Sequence, residues 1–378
     1  MERNLGGCMG TERKADAATT RAAWVEAARP RTLPLAASGS VIAAGVAAAD
    51  GSFRPEVLAL MLLVSVMLQV IANFADDYGD LAHGLDDESR VGPKRGLQRG
   101  IISPAEMRRA LVAACAATLL LGCLLIYVSF SSGPALDAGA LPAAAGFLAL
   151  GIAAIAAAVL YTVGPHPYGY QGLGDFMSFL FFGIVAVVAG SFLHTHAFSA
   201  GALAAGVALG LPVAAVMNIN NMRDALDDAA KGKRTVANRL YAAGARRGRR
   251  LGAGRSPEQI ATLIVAAEQG PRAQGGRATG DLDRLTHVSG ERAMRLYHAA
   301  LIYASLALFC VALFLVCGPS LATCLGAAAV CLASTPLFGA LSGVVRELDH
   351  TKLDRFMAPT SMGTVLIALV WAGACALI

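Results

Sequence analysis

Two acidic stretches carry the residues able to do chemistry. The first reads Asn73-Phe-Ala-Asp76-Asp77-Tyr-Gly-Asp80 and runs on through Gly84 to Lys94, Arg95 and Arg99. It follows directly on the apolar run from Val57 to Ala72. Asn73, Asp77, Asp80 and Gly84 are spaced four, three and four apart, which places them on one face of a helix. The second stretch, residues 218–235, repeats the pattern. Asn220, Asp224 and Asp228 fall four apart, an apolar run precedes them, and Lys231 and Lys233 follow. Carboxylates gathered at the end of an apolar helix repel one another and oppose the helix dipole, so they need cations. Hard oxygen ligands of this kind suit Mg²⁺, which keeps several waters and shares its site with substrate phosphates. The basic followers then hold the phosphate oxygens that the metal leaves free.

The elements that position these residues are membrane helices. Of the 378 residues, 56% are hydrophobic and 15% are charged, well below the quarter usual in soluble domains. Apolar runs at 32–50, 55–75, 109–130, 139–162, 173–193, 199–220, 297–317, 320–344 and 360–378 predict an all-α polytopic membrane protein with nine transmembrane helices. Ala47-Ala48-Ala49 imitates a signal-peptide cleavage site, but the polar segment before it is too long and further spans follow at once. With the N-terminus cytoplasmic, the outer loops fall near 51–54, 131–138, 194–198 and 318–319. Of the 31 Lys and Arg, Arg54 alone lies in these loops, as the positive-inside rule requires. Both acidic stretches and the loop 163–172 then share the cytoplasmic side, around one central cavity. Residues 1–28 are expected as a flexible tail. Residues 29–240 hold helices one to six with both acidic stretches, and 297–378 hold helices seven to nine. Between them, 241–296 are rich in Arg, Gly and Ala and are expected as a mostly flexible cytoplasmic insertion. A short helix is expected in it from Ser256, as N-cap, to about Glu268. The cysteines show no metal or disulfide spacing and are expected as small buried hydrophobes.

Several carboxylates facing lipid would be untenable, so they must line a watery cavity or the interface. Two Mg²⁺ sites facing each other suit a diphosphate, neutralising it as its C–O bond breaks. Inside an apolar bundle, the matching substrate is a prenyl diphosphate, with its chain in the hydrophobic core and an electron-rich acceptor held against the allylic cation.

Four segments carry a family resemblance: Ala27-Ala28-Arg29-Pro30-Arg31-Thr32-Leu33-Pro34; Asp76-Asp77-Tyr78-Gly79-Asp80 with Gly92-Pro93-Lys94-Arg95-Gly96-Leu97-Gln98-Arg99-Gly100; Tyr161-Thr162 through Pro167-Tyr168-Gly169-Tyr170 to Gly172-Leu173-Gly174-Asp175; and Asn220-Asn221-Met222-Arg223-Asp224 through Asp228 to Gly232-Lys233. On these the chain resembles the UbiA superfamily of intramembrane aromatic prenyltransferases, over about 27–240 and more loosely 297–378. The third segment favours the branch acting on 1,4-dihydroxy-2-naphthoate.

The resemblance implies nine helices around a central cavity. It also implies Mg²⁺ held by Asp77, Asp80, Asp224 and Asp228, with Tyr161 and Asp175 as further catalytic residues. Asn73, Lys94, Arg95, Arg99, Tyr168, Asn220, Arg223 and Lys233 are the implied substrate contacts. The partners are then a polyprenyl diphosphate, 1,4-dihydroxy-2-naphthoate and the lipid bilayer, with no nucleic acid. The implied reaction gives demethylmenaquinone, with loss of CO₂ and diphosphate, at the cytoplasmic face of the inner membrane. The family commonly has Asn where this chain has Asp76, and it passes quickly from the second motif into helix seven where this chain has 241–296. The competing readings are a sister prenyltransferase for another aromatic acceptor such as 4-hydroxybenzoate, and an ion-coupled transporter.

Overall fold

The computed structural model describes residues 17–84, 95–131, 136, 138–253, 255–256, 258–260, 262–263, 281–347 and 349–378. Among them, nine helices are long and apolar enough to cross a membrane, and there is no strand. They are Ala18–Ala49, Pro55–Ala82, Pro104–Phe130, Leu141–Leu160, Gly174–Thr195, Ala200–Arg223, Leu282–Cys317, Leu321–Arg346 and His350–Leu377, here spans one to nine. Each contains or overlaps one of the nine apolar runs.

Small residues let the spans approach closely, as expected where lipid removes the hydrophobic drive to associate. Gly183 of span five is the tightest example. A Cβ there would lie 2.5 Å from both the Gly206 carbonyl oxygen and the Gly210 Cα of span six. At this crossing span five widens into a π-helical turn over Phe179–Val185. Such turns are rare and tend to sit at functional sites. Span two ends in a left-handed glycine, Gly84 at φ +70°. At the opposite end of the bundle, Arg54 caps the C-terminus of span three. Its guanidinium donates to the carbonyls of Val128 (2.7 Å) and Ser129 (3.0 Å), which complements the helix dipole.

Two segments expected as flexible contain helices among the described residues. Residues Ala17–Ala28, expected in a loose tail, form a helix, here the cap helix, at the start of span one, packed against span two. Ala23 and Ala27 are buried with Leu97 and Ile102, and Trp24 meets Phe74 edge-on at 5.6 Å. Their alanines gave no amphipathic stripe to read; the fit depends on Gly96, where a Cβ would come within 2.8 Å of Ala23.

The insertion is likewise helical at both ends, over Val236–Gly252 and from Asp281 into span seven. Asp281–Cys317 is one helix of 37 residues, about 55 Å long, so it stands well beyond a hydrocarbon core of about 30 Å. The two helices pack through glycines rather than large apolar residues. Cβ atoms on Gly244 and Gly248 would fall 2.3 and 2.6 Å from Ser289 atoms, and one on Gly290 would strike Tyr241. A glycine seam reads in sequence as disorder, and here it closes a hairpin. Ser256 caps residues 258–260 and 262–263 as expected, accepting from the Gln259 amide at 3.4 Å. Pro257 and Glu268 lie outside the described residues.

Candidate active site

A cavity of about 400 Å³ opens at the polar end of the bundle and continues between spans two, three, four and five. Its mouth is lined by Asp76 and Asp80 with Arg29 and Arg95 beside them, and by Asp224, Asp227 and Asp228 with Lys233 beside Asp228. Deeper, the wall is apolar, with Leu68, Leu119, Ile126, Phe147, Phe181 and Val185 among its residues.

The first acidic end is assembled from distant segments. Asn73, Asp76 and Asp80 face the cavity, so the helix presents the face through Asp76 rather than Asp77. Asp77 stands one layer behind, 1% exposed. Arg29 bonds Asp76 at 2.5 Å and Asp77 at 2.7 Å, and Arg95 pairs with Asp77 as well. Arg29 holds this position with a left-handed backbone, φ 51°. A non-glycine residue there is uncommon, and such strain collects at functional sites. The Asn73 amide donates to the Ala28 carbonyl at 2.9 Å, which fixes the cap helix to span two. Thr162 donates to the Ala75 carbonyl at 2.7 Å, and Gly79 lets the Thr162 backbone lie against span two, since a Cβ would be 2.4 Å from the Thr162 oxygen. The Tyr170 hydroxyl donates to Asp80 at 2.8 Å.

The second acidic end carries its own cations. Span six ends at Arg223, and a new short helix, Ala225–Ala230, starts after Asp224. Arg223 grips Asp224 through two bonds of 2.8 and 2.6 Å and donates to Asn220 at 2.9 Å. Lys231 pairs with Asp227 at 3.0 Å, and Lys233 with Asp228 at 3.4 Å. Lys233 also lies over the Tyr170 ring, 5.7 Å from its centroid, a cation–π contact that joins the two ends. Burial opposes the charge on Lys233, but Asp228, Asp80, Asp76 and Asp224 outweigh it and raise its pKa. Burial pushes the Asp228 carboxyl up against the pull of Lys233.

The loop after span four supplies aromatic rings. Tyr161 and Tyr168 line the cavity and meet edge-to-face at 5.5 Å. Tyr168 donates to the Ala157 carbonyl at 2.7 Å, and burial pushes it up to about 12. Burial, then Asp76 and Asp80, hold Tyr161 well above the ordinary phenol value, so both rings stay protonated.

Among the expected site residues, Asn73, Asp80, Arg95, Tyr161, Tyr168, Asn220, Asp224, Asp228 and Lys233 line this one cavity. Others are placed differently. Arg99 pairs with Glu26 of the cap helix, away from the cavity, because the basic loop turns back at Gly100. Arg223 is buried behind the second acidic end, with its donors committed to Asp224, Asn220 and Asp354. Asp175 is buried in the wall, where it accepts from Asn221 at 2.9 Å and from Tyr297. It ties spans five, six and seven together and does not face the cavity. Lys94 lies outside the described residues.

Sequence reasoning missed Arg29, Asp227 and Tyr170 as site residues. Arg29 had a signal, since it stands in the Arg29-Pro30-Arg31-Thr32 segment. Tyr170 had none, because its partner Asp80 is 90 residues away.

The donor set fits Mg²⁺. Every side-chain candidate ligand is a hard oxygen, from a carboxylate or the Asn220 amide. Among the described residues no group of three or more His, Cys, Asp or Glu side chains is placed to hold a metal ion on its own. Mg²⁺ does not need one, since it completes its shell with water and substrate phosphate.

The model of the UbiA prenyltransferase family matches residues 37–267. A 1,4-dihydroxy-2-naphthoate octaprenyltransferase of Haemophilus influenzae is 43% identical over 223 residues, 58% of this chain and 69% of that protein. The enzymes of the same name from Escherichia coli and Mycobacterium tuberculosis are 42% and 38% identical over similar shares. A solved structure of digeranylgeranylglyceryl phosphate synthase in membranes superposes with a TM-score of 0.51 at 11% identity, covering 95% of this chain and 99% of that one, a likeness of fold. The matched model spans more than half of the chain, from span one through both acidic helix ends, and the chain belongs to the UbiA prenyltransferase family.

Proposed function

We propose that this prenyltransferase joins a polyprenyl diphosphate to 1,4-dihydroxy-2-naphthoate, releasing CO₂ and diphosphate and giving the hydroquinone form of demethylmenaquinone. The observation that carries the reading is the cavity itself. Two acidic helix ends face one another across a mouth that also holds three cations, and the mouth leads into an apolar shaft. Those parts match a diphosphate head and a prenyl chain. The choice of acceptor rests on the relatives, whose names carry 1,4-dihydroxy-2-naphthoate.

Asp76, Asp80, Asp224, Asp227 and Asp228 are the carboxylates available to hold Mg²⁺, with Asp77 behind them. When bound, the metal neutralises the diphosphate as its bond to the allylic carbon breaks. Arg29, Arg95 and Lys233 reach the same mouth and bind the remaining phosphate oxygens with charge-assisted hydrogen bonds. The Tyr161 and Tyr168 rings stand where the mouth meets the shaft. Their faces favour developing positive charge and orient the acceptor against it. The acceptor carbon bearing the carboxylate forms the new C–C bond. The C–CO₂ bond then breaks, and its electron pair restores the aromatic ring, so no strong base is needed. Tyrosines that stay protonated suit this scheme. The scarcity of Lys and Arg in the loops at the other end of the bundle supports a mouth on the cytoplasmic side of the inner membrane, by the positive-inside rule.

Carboxyl-labelled naphthoate tests the reading. Labelled CO₂ is expected one-for-one with prenylated product, and only with Mg²⁺ present. A product that keeps the label, or a preference for 4-hydroxybenzoate, would move the chain to another acceptor.

A further inference from the structure

Arg223 is held by two carboxylates. Asp224 takes its Nε and Nη2, Asn220 shares the Nη2, and Asp354 takes its Nη1. Arg223 is 6% exposed at the side chain, so its charge has few other ways to be solvated. Asp354 comes from a part of the chain 131 residues away, the 3-10 turn His350–Phe356 at the start of span nine.

That turn is itself clamped. Leu353, fully buried, packs in one cluster with Ile219, Met222 and Ala225 of the second acidic end and with Met294 and Val344. Arg295, 4% exposed, donates to the carbonyls of Val344 at 3.2 Å and Glu347 at 3.0 Å and pairs with Glu291. Glu291 also reaches His350, at 3.6 Å. The long helix that carries the hairpin therefore fixes the turn, and the turn aims Asp354 at Arg223.

We propose that Asp354 is a positioning residue for the second acidic end. It divides the hold of Arg223 between two carboxylates and so leaves Asp224 able to exchange its arginine for a metal ion. Asp224 is in competition: each bond it gives to Arg223 is one it does not give to Mg²⁺. Removing Asp354 leaves Arg223 buried with one anionic partner, which tightens its grip on Asp224. It also removes one negative charge from the neighbourhood of the site. Both effects act in the same direction and weaken metal binding. The inference rests on the proposed metal role of Asp224.

Groups that orient a metal ligand from behind typically change metal affinity by about 10–100-fold when removed. For Asp354→Ala, the Mg²⁺ concentration giving half-maximal turnover is expected to rise by about tenfold or more, with kcat at saturating Mg²⁺ changed far less. A direct readout is Mn²⁺ bound in the presence of inorganic diphosphate, measured by electron paramagnetic resonance on the purified full chain. The same weakening is expected there without any turnover.

Asp354→Glu, which can still reach Arg223, should recover most of the affinity. Asp354→Asn keeps the shape but removes the charge, and it should behave like Asp354→Ala; it carries the test if the alanine variant does not fold. Lys352→Ala, in the same turn but exposed and away from Arg223, should leave the metal constant alone. If Asp354→Ala and Asp354→Asn bind metal like the parent while Asp224→Asn does not, the positioning role is overturned and the metal site stands. If Asp224→Asn also binds metal normally, the underlying site assignment fails instead.

Discussion

The two acidic helix ends do the same job by opposite constructions. In the first, the cations are imported. Arg29 lies 47 residues from Asp76 in sequence, and Arg95 comes from beyond the turn at the end of span two. In the second, Arg223, Lys231 and Lys233 pair with Asp224, Asp227 and Asp228 within five residues along the chain. The first end therefore exists only when the cap helix and the loop at Arg95 have docked. The second is largely complete once its own helix ends have formed, with Asp354 added from span nine. The difference shows which changes should harm chemistry alone and which should also harm the fold.

The largest effects should come from removing a carboxylate that faces the cavity. Asp80→Asn and Asp224→Asn are each expected to lower prenyl transfer by roughly 10²–10³ at equal expression, the usual loss for one preorganised electrostatic group. Turnover of membranes with labelled prenyl diphosphate checks this.

Next comes the asymmetry in stability. Arg29→Ala with Arg95→Ala removes two cationic partners from the buried Asp77, and breaking a buried pair costs about 3–5 kcal/mol. A clear fall in thermal unfolding temperature in detergent is expected, with loss of the cap helix. Lys233→Ala at the second end should lower activity with a much smaller fall.

Gly79→Ala is a finer test. Its methyl group would press on the Thr162 backbone and push the first acidic end off the tyrosine loop. Displacements near 1 Å can cost about 10²-fold in rate, so a loss between about tenfold and a hundredfold is expected, with insertion unchanged.

The smallest effects belong to Arg99→Ala and Lys231→Ala. Arg99 makes an exposed pair with Glu26, and Lys231 an i,i+4 pair with Asp227. Such pairs are worth about 0–1 kcal/mol. Activity within about twofold of the parent is expected for Arg99→Ala, and a somewhat larger loss for Lys231→Ala, whose partner lines the cavity.

The same contrast explains what was legible in the sequence. The second acidic end was the more legible, because its partners are neighbours in the chain and Asn220, Asp224 and Asp228 follow the helical period, although Asp227 was missed and Arg223 lies behind the cavity wall. The nine spans were legible for the same reason, as continuous apolar runs. The first end was legible as a set of carboxylates but not as a face. A spacing of 73, 77 and 80 describes a helical face equally well as 73, 76 and 80, and the choice is made by Arg29 and Arg95 drawing Asp77 into the wall. Asp175 looked like a site residue because it stands in the loop that carries the tyrosines, and its burial against Asn221 depends on how three spans meet. The hairpin was hidden by composition. Arg, Gly and Ala signal flexibility on average, and nothing local says that Gly244 and Gly248 will lie against Ser289.

The central claim is that both acidic ends act on one diphosphate. A double-mutant cycle of Asp80→Asn and Asp224→Asn, read as kcat/KM for prenyl transfer, tests it most directly. Residues that act as a unit are strongly non-additive. The account predicts that the double variant is little slower than the worse single variant, because either loss already disables the shared site. A double variant slowed by the product of the two single losses would mean two independent sites, and would contradict the account.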